Sequence, residues 1–136
     1  MAFQLNPYIN FNGNAREAFT FYESVLGGKL ELHTFGEFHA SDDPTEQDNI
    51  MHAMLTLDSG EAIMGADTPH MMEYKGLCGF SISLSGTDQS LKETFTKLAE
   101  GGQITMPMEK QMWGDEFGMV LDKFGINWMV NIHTEA

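Results

Sequence analysis

His52 is the residue whose type and position are best suited to chemistry. It lies in residues 50–55, a largely apolar run that reads as a β-strand and would put His52 and Met54 on the same face. If that face lines a cavity, the imidazole can hydrogen-bond an anionic or carbonyl ligand, or act as a base near neutral pH. The same pattern also suits a partly buried, hydrogen-bonded histidine with no catalytic role.

Trp113 and Phe117 form a second group of candidate binding residues. They lie between two predicted strands of the second half of the chain, where an aromatic side chain can cover a cavity and the indole N–H can bind a ligand. A hydrophobic plug would give the same pattern. Asp67 could orient a polar ligand, but Asp67-Thr68-Pro69 is also an ordinary turn sequence, so we expect it to lie in a turn.

The remaining histidines and the single cysteine give weaker signals. His39 beside Asp42 and Asp43 has the residue types of a metal site, but its acidic surroundings predict a solvated side chain. Cys78 has no nearby base and is expected to be a buried, inert thiol. The sequence reveals no partner for the other three histidines: His33, His70 and His133.

An internal repeat positions these residues. Residues 8–14 and 82–88 each read as a short strand that runs into a glycine and a helix-capping residue. Each is followed by an amphipathic helix that ends at two glycines. At the start of the first helix we expect Asn14 and Glu17 to form a capping box.

Three predicted strands follow each helix, and residues 37–49 form an exposed acidic loop in the first half. The chain therefore contains two modules, at about 1–70 and 71–136, each a strand, a helix and three strands. Each module alone is too small to close a core. We expect them to pack together as one domain covering residues 1–136.

The composition disfavours several classes of partner. The 136 residues carry a net charge of −13 with only 7 basic side chains, so neither nucleic acid nor an anionic membrane surface is expected. No apolar run approaches the roughly 20 residues that span a bilayer. One cysteine and no secretory-type start predict a cytoplasmic protein. The 11 methionines suit either a plastic core or an adaptable apolar cavity.

Several segments match a known pattern: residues 6–15, Phe21-Tyr22, Ile50-Met51-His52, residues 62–65, Trp113-Gly114, residues 117–119 and residues 122–125. With the two-module plan, they resemble the vicinal oxygen chelate superfamily of glyoxalases, extradiol dioxygenases and bleomycin-resistance proteins. The chain is most similar to its PhnB-like branch, over the whole length. The resemblance implies an α+β fold in which two β-α-β-β-β modules form curled sheets around a cavity, with the helices outside. It also implies a homodimer.

The resemblance also indicates where a metal would bind. Metal-using members take ligands from the first and last strands of each module, and the matching positions here are Pro7, Met64, Met129 and either Phe80 or Ser81. None is His, Asp or Glu, and a thioether is a poor ligand for Mg, Mn, Fe(II) or Zn. The strand-to-helix turns hold one glycine each, unlike a nucleotide-type site. We expect no metal and no cofactor.

These observations predict binding of a small, largely apolar metabolite in a metal-free cavity. The methionines would form an apolar floor, and His52 and Trp113 would supply hydrogen bonds at its rim. Six residues are predicted to contact the ligand: His52, Met64, Asp67, Trp113, Phe117 and Met129. The alternative is a divalent-metal-dependent lyase or isomerase of the glyoxalase type, with a relocated metal near His52. A third possibility is a fold kept for protein interaction, its cavity filled by methionines.

Overall fold

A strand, a helix and three further strands occur twice along the chain. In the computed structural model, which describes residues 4–134, the two copies fall into two compact units, Met1–Gly76 and Leu77–Ala136. The junction lies close to the predicted boundary between the modules. Their assignment to one domain stays a prediction.

The first unit contains β1 (Tyr8–Phe11), α1 (Ala15–Leu26), β2 (Lys29–Thr34), β3 (Ile50–Thr56) and β4 (Ala62–Asp67). The strand order is β1-β4-β3-β2, with β1 parallel to β4 and the other neighbours antiparallel. The predicted acidic loop joins β2 to β3 and contains a 3₁₀ turn at Pro44–Glu46. It is only partly exposed, because Ser41 and Glu46 are buried.

The second unit repeats this arrangement with β5 (Ile82–Gly86), α2 (Leu91–Leu98), β6 (Gln103–Lys110), β7 (Glu116–Leu121) and β8 (Asn127–Ile132). Its strand order is β5-β8-β7-β6, with β5 parallel to β8. The predicted α+β class and the repeat are therefore confirmed: the described residues form two four-stranded sheets and two helices.

One face of the first sheet packs on α1, and a glycine allows the close approach. A Cβ atom at Gly65 would lie 2.8 Å from the ring of Phe19, so Gly65 faces the helix. Its register partners Ile9 and Ala53 are buried on the same face. Side chains alternate along a strand, so Tyr8 and Met64 point to the opposite face, which we call the distal face of the first sheet.

The second sheet packs on α2 in the same way. A Cβ atom at Gly118 would lie 2.7 Å from the ring of Phe95, so Gly118 and its register partner Val130 face the helix. Alternation then places Met119 and its partner Met129 on the distal face of the second sheet. Each sheet therefore has one buried helical face and one distal face available for other contacts.

The start of α1 differs from the prediction. Asn14 makes no side-chain capping hydrogen bond, so the predicted capping box with Glu17 is wrong. Instead Asp67, at the end of β4, accepts hydrogen bonds from the backbone N–H groups of Gly13 and Ala15 at 2.9 Å each. A carboxylate from a distant strand thus satisfies donors that a local cap would otherwise engage.

A second buried aspartate organises the turn between β7 and β8. Asp122 accepts hydrogen bonds from the backbone N–H groups of Phe124 (2.8 Å) and Ile126 (3.0 Å). Its other oxygen accepts from the indole N–H of Trp128 at 2.8 Å. The carboxylate therefore holds the turn and orients the largest fully buried side chain of the second unit.

Two further expectations concern single features. Cys78 is exposed, so the prediction of a buried thiol is wrong. Within the described residues, neither helix combines the length and the apolar character needed to cross a bilayer.

Candidate functional site

The main candidate site is a cavity of about 560 Å³ in the first unit. One wall is the distal face of the first sheet, and another is the irregular segment that follows β4, residues 68–76. Its size is within the range of pockets that hold small organic ligands. It is lined by Tyr8, Asn10, Phe35, Met51, Ala66, Asp67, Thr68, Pro69, Met72, Glu73, Lys75 and Gly76.

A β-bulge in β3 positions part of this wall. His33 pairs with His52, and the next residue of β2, Thr34, pairs with Ile50, which leaves Met51 as the extra residue. A bulge interrupts the alternation of side chains. As a result Met51 lines the cavity, while Ile50 before it is fully buried. Sequence alternation alone gave no signal for this bulge.

His52 lies beside the cavity and not in its lining. Its ring centroid is 6.0 Å from that of Tyr8, with the planes tilted by 35°. Tyr8 is half-exposed and lines the cavity. Burial raises the pKa of the Tyr8 phenol, which keeps it a protonated hydrogen-bond donor. His52 therefore contacts the site through Tyr8.

Asp67 lines the cavity, but its carboxylate is engaged elsewhere. It is 3% exposed and ends β4, so its expected place in a turn is wrong. Besides the two bonds at the start of α1, its second oxygen accepts from the N–H of Ile50 at 2.8 Å. Three backbone donors thus use both oxygens, and Asp67 joins β1, α1, β3 and β4 at one point.

Met64 lies at one of the positions to which the family resemblance assigned a metal ligand. It lies on the distal face, in register with Tyr8 and Met54, and its sulfur is 3.8 Å from the amide nitrogen of Asn6. A thioether, an amide and a phenol do not make a site for a hard divalent cation. The residues present therefore do not fit that metal centre.

In the second unit, Met129 lies in a shallow cleft on the distal face. The cleft has a volume of about 610 Å³ and is lined by Gly79, Phe80, Ser81, Met119, Asn127 and Met129. Met119 and Met129 pair across β7 and β8, as Met54 and Met64 pair across β3 and β4. The repeat thus places a methionine pair at matching positions of both sheets.

Trp113 lies in the turn between β6 and β7 and is 62% exposed. Its ring packs edge-on against Phe117 of β7 at 5.9 Å. The turn is held by Asp115, which accepts from Asn131 at 2.9 Å and contacts His133 at 3.0 Å. The hydrogen bond from Asn131 is the main cause that lowers the pKa of Asp115. The aromatic pair is therefore presented on an ordered turn.

A cluster that the sequence did not reveal lies next to the cavity segment. Glu46 is 6% exposed and accepts hydrogen bonds from Ser41 (2.8 Å) and from the backbone N–H of His70 (2.6 Å). The His70 Nδ1 atom is 2.7 Å from the same carboxylate and 3.6 Å from Asp43. His39, the histidine with metal-site neighbours in the sequence, is exposed.

Hydrogen bonds favour the charged forms of the side chains in this cluster. The hydrogen bond with Glu46 raises the pKa of His70 and lowers the pKa of Glu46. Hydrogen bonds from Thr45 lower the pKa of Asp43. Ligand-type atoms of Asp43, Glu46 and His70 lie within 4.8 Å of one another. His70 follows cavity-lining Pro69, so the cluster ties the cavity segment to the 3₁₀ turn.

Comparisons with known proteins agree with this architecture. A family model described as 3-demethylubiquinone-9 3-methyltransferase matches residues 4–131. The crystal structure of protein PA1353 from Pseudomonas aeruginosa is 42% identical, with a TM-score of 0.86 over 98% of this chain and 100% of that one. A PhnB protein from Bacillus cereus, called a putative 3-demethylubiquinone-9 3-methyltransferase, is 22% identical, with a TM-score of 0.75 over 96% and 100%.

The fold also matches the wider superfamily. A member of the glyoxalase/bleomycin resistance protein/dioxygenase superfamily from Sphaerobacter thermophilus is 19% identical, with a TM-score of 0.63 over 98% of this chain and 100% of that one. At this identity the likeness concerns the fold alone. The predicted PhnB-like, glyoxalase-type fold is confirmed.

Proposed function

Because the chain belongs to the family described as 3-demethylubiquinone-9 3-methyltransferase and has the glyoxalase/bleomycin-resistance fold, we propose that it binds a small, largely apolar molecule in the cavity of the first unit, without a metal. The observation that carries this proposal is the cavity of about 560 Å³ on the distal face of the first sheet. Its size and its apolar side chains suit a compact organic ligand.

The apolar part of the lining supports the proposal. Phe35 is buried and offers a fixed aromatic surface, whereas Met51 and Met72 offer flexible thioethers that adapt to the shape of a ligand. Ala66 and Pro69 complete this side of the cavity. Two of the 11 methionines of the sequence therefore line the cavity.

The other residues predicted to contact the ligand lie in both units. In the first unit, His52 supports Tyr8 and Met64 extends the apolar distal face. In the second unit, Trp113, Phe117 and Met129 offer a further apolar surface on and beside the shallow cleft. We propose the cavity of the first unit as the principal site, because it is more enclosed than the shallow cleft and so removes more ligand surface from water.

Methyl transfer, which the family's description names, is not the activity that we propose. A nucleotide-type cofactor needs free backbone N–H groups at a glycine-rich turn before a helix. At α1 the N–H groups of Gly13 and Ala15 already donate to Asp67. At α2 the N–H of Ser90 donates to Asp88. The residues at these turns do not fit such a cofactor.

Fluorescence of the neutral apolar dye N-phenyl-1-naphthylamine tests the proposal. We expect enhanced emission with the wild-type protein, which should hold no divalent ion after purification without chelators. Ala66→Trp should fill the cavity and abolish the enhancement, and His52→Ala should weaken dye binding by about 1–3 kcal/mol, because the support of Tyr8 is lost. Ala40→Trp, in the exposed loop, is the matched control and should bind the dye normally.

Two results would contradict the proposal. Equal dye binding by wild type and a folded Ala66→Trp variant would show that the cavity is not the site. Metal analysis that finds more than about half an equivalent of tightly held divalent ion would favour the metal-dependent lyase or isomerase. In that case the Asp43, Glu46 and His70 cluster would be the first place to substitute.

A further inference from the structure

We infer that the cavity of the first unit selects uncharged ligands that carry an acceptor oxygen, such as a ketone, and that Thr68 supplies one of the hydrogen bonds. This inference rests on the proposed function, since it concerns the ligand class of the same cavity. It follows from which polar side chains of the lining already make hydrogen bonds within the protein and which do not.

Thr68 carries the first step. Its N–H donates to the carbonyl of Phe11 at 2.8 Å, which fixes its backbone against β1. Its hydroxyl, however, is buried and makes no hydrogen bond with any residue between 4 and 134. A buried hydroxyl without a partner is unfavourable. Because Thr68 lines the cavity, we infer that a rotation of its side chain brings the hydroxyl to a bound ligand, which supplies the missing partner.

Three other polar groups of the lining can donate hydrogen bonds, whereas the carboxylate of Glu73 can only accept them. Tyr8 contributes a protonated phenol, Asn10 an amide and Lys75 an ammonium group, and none of them has a side-chain hydrogen bond or ion pair within the described residues. Together with Thr68 they give four groups able to donate. A ligand oxygen that accepts hydrogen bonds complements this set.

The charges of the lining favour an uncharged acceptor over a carboxylate. Lys75 is positive, but Glu73 two residues earlier and Asp67 in the wall are both negative. The whole chain adds a net charge of −13. An anion would therefore enter against the local and the overall field, whereas a ketone keeps the hydrogen bonds and avoids this repulsion.

Four probes that share one ring system separate these possibilities: 2-acetylnaphthalene, 2-isopropylnaphthalene, 2-naphthoate and 1-(2-naphthyl)ethylamine. Binding is followed by NMR of protein labelled with ¹³C in the methionine methyl groups, through the signals of Met51 and Met72. We expect the ketone to bind about fivefold or more tighter than the hydrocarbon, as one hydrogen bond would give. We expect the ketone to bind tighter than 2-naphthoate, which meets the negative field, and tighter than the amine, whose ammonium group has no acceptor for the donors of the lining.

Thr68→Val tests the hydrogen bond directly, because valine keeps the shape and removes the hydroxyl. The advantage of the ketone over the hydrocarbon should fall about fivefold, while hydrocarbon binding is retained. Thermal stability should be unchanged or higher, since the hydroxyl has no protein partner to lose. Thr20→Val on the exposed side of α1 is the matched control and should leave the ketone preference intact.

The outcomes distinguish this inference from the proposed function. If no probe shifts the Met51 and Met72 signals, the cavity does not bind such molecules and the proposed function fails as well. If the probes bind but Thr68→Val leaves the ketone preference unchanged, the role of Thr68 is overturned and the proposed function stands. Tighter binding of naphthoate or of the amine than of the ketone would overturn the ligand class.

Discussion

At the scale of single residues, Asp67 shows how one carboxylate organises the first unit. It accepts hydrogen bonds from backbone N–H groups at the starts of α1 and β3, so the side chain that ends β4 sets the positions of two other elements. Candidate ligand-binding side chains such as Asn10 and Thr68 lie within or next to these elements. The carboxylate therefore supports the cavity without a free oxygen of its own.

Asp67→Asn is expected to destabilise the protein by about 3 kcal/mol, because one charge-assisted acceptor is replaced by an NH₂ group that faces a buried backbone donor. Chemical denaturation measures this change. Asp58→Asn, in the exposed turn between β3 and β4, is the control and should stay within about 0.5 kcal/mol of wild type. Equal stability of both variants would contradict the role given to Asp67.

His52 illustrates what a sequence pattern can predict about a residue. Strand alternation correctly placed it on the face shared with Met54, because a strand repeats every two residues. The pattern could not show that the ring of cavity-lining Tyr8 lies next to His52, since Tyr8 comes from another strand. Whether His52 lines the cavity or supports a lining residue depends on which strands lie beside β3 in the sheet. The sequence of β3 alone does not contain that information.

At the scale of elements, the contact between the 3₁₀ turn Pro44–Glu46 and the segment after β4 is expected to respond to pH. The pKa of His70 is raised above its usual 6.5, so its contribution to stability is complete below that value and is lost as pH rises through the raised pKa. The pKa of Glu46 is lowered below its usual 4.5, so its contribution is lost as pH falls through the lowered pKa.

His70→Gln should therefore lower the melting temperature most between about pH 4.5 and 6.5, where both partners are charged in the native state. The difference from wild type should shrink towards pH 9, as His70 loses its proton, and also in strong acid, as Glu46 and nearby Asp43 gain theirs. His39→Gln, in the exposed loop, should show no such pH dependence. A constant difference across this range would mean that the pair is not ionic.

At the scale of the whole molecule, exposed apolar side chains support the homodimer implied by the family resemblance. Strand β6 forms an edge of the second sheet, and Met106 on it, whose register partner Met119 lies on the distal face, is 40% exposed. Trp113 in the next turn is 62% exposed. Edge strands and contiguous apolar surface are costly to leave in water. We propose that a second copy of the chain covers this surface.

Sedimentation at micromolar concentration should give twice the mass of the chain. Met106→Glu should shift the equilibrium to monomer, because a carboxylate would be buried in the interface. Met71→Glu, at a position of the first unit that is 71% exposed, should leave the dimer intact. A wild-type monomer under these conditions would contradict the dimer.

The sequence by itself determined the order of elements and the repeat. Hydrophobic periodicity and glycines at element ends are local signals, so α1, α2 and the three strands after each helix could be predicted from neighbouring residues. The family pattern added the class of fold, and both agree with the structure.

Only the tertiary structure decided which side chains meet. The contacts of Asp67 with the start of α1, of His70 with Glu46, and of Tyr8 with His52 join residues far apart in the chain. Strand register brings Tyr8 and His52 to one face of the first sheet, and the bulge at Met51 shifts side chains between faces. A hydrogen bond acts over about 3 Å, so no local pattern can encode a partner that folding alone brings within reach.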